Sequence, residues 1–498
     1  MKKYRPWAIR ALFILLMPFL MNYVYTKFWY EDDLRKNEDL LHLVNSLPQE
    51  TEIVYLGESS NITPNKKDTN WSSISTFLAG YYPSLYVYDI TKPAAHAGVY
   101  KELLKRIPPS SPVKTVVLTL NLRSFGAGWI YSDLETSLQK SMVLLRYRPP
   151  LFNRFLLAFK AYDHASKEDR RKQCLEAWEQ DPLHFPYAFP HKNVREWDNH
   201  ISSKGMYGAD GTRDQKLTET ACHFVKNYAF CIDTLRNPRI RDVDEIVELA
   251  RRRGWNLVLN LMAENTERAA QLAGEDLVYL MEENRKLLVS YYERKGVPVV
   301  DNLHRVPDSC FSDRDWPTEH YTEQGRRIIA RNVAETLRVF HPAGFVLYEK
   351  GGGRTRFFNN CEWPIGWDNM ESLRREKAFR GKWSSRAGGE DPFSITFSYR
   401  PQDIPAYARS YCSVELEWLS AETQSPARLI LELEGGTAPY TRTDVPLAAM
   451  QHESADWNHF RHEFTLPAGF PLARTLKVYV HNPSEEPVFI DDIRISFR

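Results

Sequence analysis

From about residue 355 onward, apolar and polar residues alternate in short runs: FFNNCEW, FSITFSY, SYCSVELEWLS, RLILELEG, HFRHEFTL, TLKVYVHN and VFIDDIRISF. Turn residues separate the runs, and helical periodicity is almost absent. Such a segment buries its apolar faces by stacking two antiparallel sheets, so it predicts a β-sandwich. Before residue 345 the pattern differs. Short apolar runs alternate with amphipathic stretches of helical period, which predicts a parallel sheet with right-handed crossovers. A chain of 498 residues exceeds what one core holds. These patterns divide it into an α/β part at 31–345, a link at 346–354 with Gly351, Gly352 and Gly353, and an all-β part at 355–498.

Within the first part, strands are expected at 52–56, 84–89, Lys114–Leu120, Trp255–Leu261 and Val297–Asp301. Helices are expected at 34–48, around Val99–Arg106, and at Asp242–Arg253, 274–295 and Glu323–Phe340. Residues 130–230 break the rhythm with aromatics, charges and prolines (RYRPPLF, DPLHFPYAFPHK). They read as a mostly helical insertion with long loops, the kind that forms a lid or substrate wall.

Lys2, Lys3, Arg5 and Arg10 precede an apolar run from Ala11 to Tyr25, and Glu31, Asp32 and Asp33 follow it. That asymmetry predicts the N-terminus inside and the remainder translocated. With Trp7 and Trp29 at its ends and no A-x-A-like cleavage site, residues 1–30 read as an uncleaved membrane-spanning signal anchor, with a cleaved signal peptide as the alternative. The body is then expected to face the periplasm, or to be secreted. The 65 Lys+Arg and 64 Asp+Glu nearly cancel, which argues against a nucleic-acid partner. Cys174, Cys222, Cys231, Cys310, Cys361 and Cys412 contain no C-x-x-C pair, which excludes zinc-knuckle and thioredoxin-like readings. Cys222 and Cys231 are the nearest pair in sequence. A disulfide and free thiols both remain open.

The chemistry concentrates in two stretches. In TEIVYLGESSN (51–61) an apolar strand hands over to Gly57-Glu58-Ser59-Ser60. A serine at the carboxyl end of a parallel strand stands where open α/β folds place reacting groups. The bland reading is a helix N-cap. In DWPTEHYTEQGRRIIARNV (315–333), His320 immediately precedes the last helix. A serine nucleophile needs such a base, a group to orient it, and donors for the oxyanion.

On these residues the chain resembles the SGNH/GDSL hydrolase superfamily, whose fold is a flavodoxin-like three-layer α/β sandwich. Gly57-Glu58-Ser59 is similar to that family's G-D-S motif, with Glu in place of Asp. The resemblance implies Ser59 as nucleophile and His320 as base. It implies Gly98 and Asn121 as oxyanion donors beside the Ser59 N–H. Three residues before His320 the family has Asp, but this chain has Pro317. Asp315 is the acid expected to orient the imidazole, with Glu319 or a backbone carbonyl as alternatives. The N-terminal run and RDVDEIVELARRRGWNLVLNLMAEN give the layout of membrane-anchored members that acylate or deacylate envelope polymers. Asn121 opens N-L-R-S where the family has G-x-N-D, and Arg123 is either an anion-binding residue or part of a structural ion pair.

The implied function is a serine esterase or acyltransferase acting on an acylated polysaccharide, needing no cofactor. The competing reading is a non-catalytic glycan-binding or envelope-assembly protein on a hydrolase scaffold. The C-terminal part resembles carbohydrate-binding jelly rolls. That likeness implies a structural calcium ion near Glu362, Asp491 and Asp492, or simply turn acids without a metal. It also makes Trp418 and Trp457 candidates for sugar stacking, against ordinary core packing.

Overall fold

In the computed structural model, residues 5–498 are described except 38, 46, 164, 348–353, 363–366, 423 and 450–455. The first part holds a five-stranded, all-parallel sheet. Its strands are Thr51–Gly57, Tyr86–Thr91, Thr115–Leu120, Asn256–Leu261 and Val299–Asp301. Their spatial order is second, first, third, fourth, fifth. This is one of the two common doubly wound orders, with its switch point between the first and third strands.

Alternate residues of the strands feed two separate cores. Val54, Leu56, Val116, Leu118, Leu257 and Leu259 pack on one face with helices Ala97–Arg106, Pro238–Arg253 and Glu275–Glu293. Ile53, Tyr55, Val117 and Val258 pack on the other with helices Ile74–Tyr81 and Glu323–Leu337. Because both faces are covered, the strands read as continuous apolar runs. The expected helix at 34–48 is two helices, Tyr30–Asn37 and Asp39–Asn45. The second strand lies two residues later than expected.

The insertion is mostly helical, from Ala127–Ile130 through Gln215–Tyr228, with one small antiparallel pair at Met206–Tyr207 and Arg213–Asp214. The N-terminal segment is a 24-residue helix, Arg5–Phe28, containing Pro18. It packs against helix Pro150–Ala158, where the Leu151 N–H donates to Asn22 Oδ1 at 2.9 Å. No helix among the described residues is long and apolar enough to cross a membrane. The expected spanning anchor is therefore not supported.

The C-terminal part is an antiparallel two-sheet sandwich. One sheet runs Asn458–Thr465, Tyr411–Ser420, Val488–Phe497, Ser384–Ala387, Leu373–Arg374, with Arg356–Asn359 also paired to Val488–Phe497. The other runs Phe397–Tyr399, Ala473–His481, Arg428–Gly436, Thr441–Pro446. Trp418, Leu431, Leu433, Phe460, Val478 and Ile490 fill the space between them. Trp418 is thus core rather than a sugar platform, and Trp457 is half-buried against Phe379.

The sandwich packs against the α/β part through polar side chains. The Trp71 N–H donates to Asp403 Oδ1 at 3.0 Å, and Arg354 Nη2 donates to Asp89 Oδ1 at 2.9 Å. All six cysteines are free thiols, so the Cys222–Cys231 disulfide is absent.

Candidate active site

Gly57 ends the first strand where nothing larger fits. A Cβ there would stand 2.9 Å from Asn61 Cβ and 3.0 Å from Thr91 Oγ1. This close approach lets the chain turn at once into the short helix Ser59–Ile62. Glu58, 4% exposed, is that helix's N-cap, and its Oε1 accepts from the Ser60 N–H at 3.0 Å. Asn61 locks the turn from below, donating to Thr91 Oγ1 and Ser75 Oγ and accepting from the Ser75 N–H. Gly57→Ala is expected to cost about 1–3 kcal/mol by overpacking. It should also displace the helix that carries Ser59, lowering both the urea midpoint and any activity at that serine.

His320 arrives from the far end of the sheet, in a loop closed by pairing of Phe311 with Tyr321. The Ser312 N–H donates to the His320 carbonyl at 2.8 Å, which folds 312–320 back on itself. His320 Nε2 lies 3.1 Å from Ser59 Oγ, and Nδ1 lies 2.7 Å from Asp313 Oδ2. Thr318 Oγ1 donates to the same Asp313 oxygen. An ionised carboxylate only accepts, so the Nδ1 proton faces Asp313 and Nε2 is left to accept the serine proton. The side chains of His320 and Asp313 are 21% and 48% exposed, so the group lies open at the surface.

The carboxylate beside the imidazole is therefore Asp313 and not Asp315. Asp315 points out to Lys216, whose hydrogen bond holds its carboxyl below the usual range. Glu319 does not orient His320 either. It is buried in a two-oxygen ion pair with Arg123. Asp313 comes within reach because the 311–321 pairing folds 312–320 back on itself, whereas the D-x-x-H spacing does not apply here.

Ser59 Oγ has a second acceptor, Glu58 Oε2, at 2.8 Å. The hydroxyl carries one proton and faces both a carboxylate and an imidazole nitrogen. The longer side chain of Glu, compared with Asp, lets one carboxylate cap the helix and reach the serine as well.

Asn121 follows the third strand, one switch-point neighbour away from Ser59. Its Oδ1 is buried without a hydrogen-bond partner among the described residues. It lines a small cavity of about 20 Å³ with Glu58, Ala94, His96, Arg123, Trp129 and Arg239, room for one or two waters. Gly98 is not part of this cavity. It lies inside helix Ala97–Arg106, its N–H donates to the N-cap His96 Nδ1 at 3.1 Å, and a Cβ would meet Asp242 Oδ2 at 2.8 Å. Ala94, Ala95 and His96 of the second-strand loop do line the cavity, and Ala94 is held at φ +61°. That left-handed backbone is one glycine adopts more readily, so a search for glycine passes Ala94 by.

Arg123 is not an anion receptor. Its Nε and Nη2 reach the two Glu319 oxygens, and Nη1 donates to the Pro317 carbonyl at 2.7 Å. Its plane stacks on Trp129 at 4.5 Å. Burial pushes the Glu319 carboxyl up, against the pull of Arg123. Behind it, burial and the nearby Glu319 push Glu264 well above the usual range, while Glu264 accepts from the Tyr228 hydroxyl and the Leu122 N–H. This buried network ties the insertion, the third-strand loop and the histidine loop together.

The acids proposed for calcium gather around loop 379–383 but are already occupied. Glu362 Oε1 accepts from the Lys382 and Trp383 N–H groups, and Asp491 accepts from those of Phe379, Arg380 and Asp492. Asp492 pairs with Arg380. N–H donors and guanidinium groups stand where a cation would need oxygens, and no group of three or more metal-binding side chains occurs among the described residues.

No protein-family description matches the chain, and no curated protein matches it. Solved structures similar to part of it are carbohydrate-binding modules. The CBM22-1 xylan-binding domain from Paenibacillus barcinonensis Xyn10C is 16% identical, with 28% of this chain and 92% of that one covered and a TM-score of 0.23. The C-terminal family 22 module of Clostridium thermocellum Xyn10B is 14% identical, with 28% and 91% covered and a TM-score of 0.21. The C-terminal CBM6 of LamC from Zobellia galactanivorans is 16% identical, with 28% and 98% covered and a TM-score of 0.18. At these scores the likenesses say nothing about what this chain binds.

Proposed function

We propose that this chain is an extracytoplasmic serine esterase or acyltransferase of the SGNH type, acting on an acylated polysaccharide. One observation carries the reading: an unbroken chain of hydrogen-bond distances, Ser59–His320–Asp313, at the carboxyl edge of a parallel sheet. In the reaction, Ser59 Oγ attacks the ester carbonyl as its proton passes to His320 Nε2. Asp313 holds the Nδ1 proton and balances the imidazolium that forms. The oxyanion is held by the Ser59 N–H and the Asn121 side-chain amide, since the Gly98 N–H already donates to His96. The imidazolium returns its proton to the departing sugar oxygen, which leaves an acyl-serine. Water or a second sugar hydroxyl, deprotonated by His320, attacks that ester and releases Ser59.

A fluorophosphonate probe tests this. The wild type is expected to be labelled at Ser59 and Ser59→Ala to remain unlabelled. An unlabelled wild type would overturn the enzymatic reading in favour of glycan binding on a hydrolase scaffold.

A further inference from the structure

Two tryptophans stand out on the loops that carry the nucleophile and the base. Trp71, 44% exposed, lies in the loop that follows the Ser59 helix. Trp316, 46% exposed, lies four residues before His320 in the loop closed by Phe311 and Tyr321. Isolated exposed aromatics are ordinary on a protein surface. These two differ because their surroundings hold them fixed while leaving them open.

Trp71 is anchored through its backbone, its indole N–H and one face of its ring. Its backbone N–H goes to Asp403 of the sandwich, its indole N–H donates to the Asp68 carbonyl at 3.1 Å, and the Arg400 guanidinium of the sandwich sits 4.1 Å over its ring. The preceding Asn70 N–H donates to Glu323 Oε2 at 2.7 Å, and Glu323 is only three residues beyond His320. Arg326, fully buried, binds Asp68 and the Asn70 carbonyl from the same helix. Trp316 is braced by the ring of His223 in the insertion, 3.9 Å between centroids. Its carbonyl accepts from the Thr318 N–H.

We infer that Trp71 and Trp316, on the loops that carry Ser59 and His320, are stacking platforms for sugar rings of the polymer, and that the sandwich, through Asp403 and Arg400, sets the position of the first. The inference rests on the polysaccharide reading above. A pyranose presents a face of C–H groups that matches a flat indole, and a rigid aromatic loses little entropy on binding. Polar anchors spent on keeping a large apolar ring at the surface make sense where a ligand completes its burial. A second domain docked onto the nucleophile loop then has a direct role at the site.

The test uses the full chain carrying Ser59→Ala, so that binding is read without turnover. Affinity electrophoresis is run in gels containing acetylated xylan, acetylated glucomannan or acetylated pectin. At least one polymer is expected to retard the protein. Trp71→Ala and Trp316→Ala should each weaken that retardation about tenfold, Trp71→Phe should restore it to within about threefold, and Arg400→Gln should weaken it with an unchanged melting temperature. Retardation by none of the polymers, or equal retardation of parent and both alanine variants, overturns the inference. So does a loss that Trp71→Phe does not rescue. Phosphonate labelling of the wild type is independent of these arms. Failed labelling with tryptophan-dependent retardation removes the esterase and keeps the subsites, and the converse removes the subsites alone.

Discussion

Asp313→Asn is expected to lower kcat/KM for a soluble acyl ester by about 10²- to 10³-fold, almost all of it in kcat, while Asp315→Asn stays within about twofold. The difference follows from what each carboxylate touches. Asp313 holds the Nδ1 proton of His320, and Asp315 holds only the exposed Lys216. An amide at 313 removes the charge that balances the imidazolium. It can also offer N–H to Nδ1, which favours the tautomer with its proton on Nε2, unable to take one from Ser59. General-base assistance is worth about 10²–10⁴ in rate. The lower part of that range applies because the Asp313 side chain is 48% exposed and water screens part of its charge. Steady-state kinetics on the two asparagine variants decide it. A collapse at 315 with little change at 313 would mean that the loop rearranges when substrate binds and that the acid has been misassigned.

How much of this arrangement is readable from the order of residues depends on the range of the interaction concerned. Strands such as Thr115–Leu120, buried on both faces, announce themselves through composition, because burial on both faces favours apolar and β-branched residues along the whole run. The change to two-residue alternation near 355 marks the sandwich for the same local reason. Ser59 and His320 are legible because each sits at a handover into a helix at the sheet's carboxyl edge. Asp313 is not, since its place beside His320 depends on the Phe311–Tyr321 pairing, which leaves no motif. Ala94 is hidden because its backbone angle, and not its residue type, sets it apart. Gly98 attracts attention by type alone, yet its small size serves the packing of Asp242. Arg123 takes the ion-pair member of its two readings, while Asp315 and the acids considered for calcium turn to other partners. Each is a charged side chain whose partner is distant in sequence, and pattern alone cannot supply that partner.

The largest effect on stability is expected from Arg123→Ala, at about 3–5 kcal/mol. Arg123 and Glu319 have side chains only 6% and 1% exposed, and removal of the cation leaves Glu319 buried beside Glu264 with nothing to offset its charge. The native state answers by keeping Glu319 protonated. Its folded pKa, already raised by burial, then moves further above the unfolded value. The native state therefore binds more protons than the unfolded state, and the variant's stability falls as pH rises from the unfolded carboxyl pKa, about 4.3, through the folded one. The defect should be mild near pH 4.5 and severe near pH 8, read as urea midpoints across that window. The double variant Arg123→Met with Glu319→Leu should recover much of the loss at pH 8, since replacing both members of a buried pair by apolar groups is often near neutral. Activity should not recover with it. Arg123 Nη1 also holds the Pro317 carbonyl, and without that bond the loop that presents His320 loses its tether to the third strand. A double variant as active as the wild type would mean that the histidine loop is positioned by the Phe311–Tyr321 pairing alone.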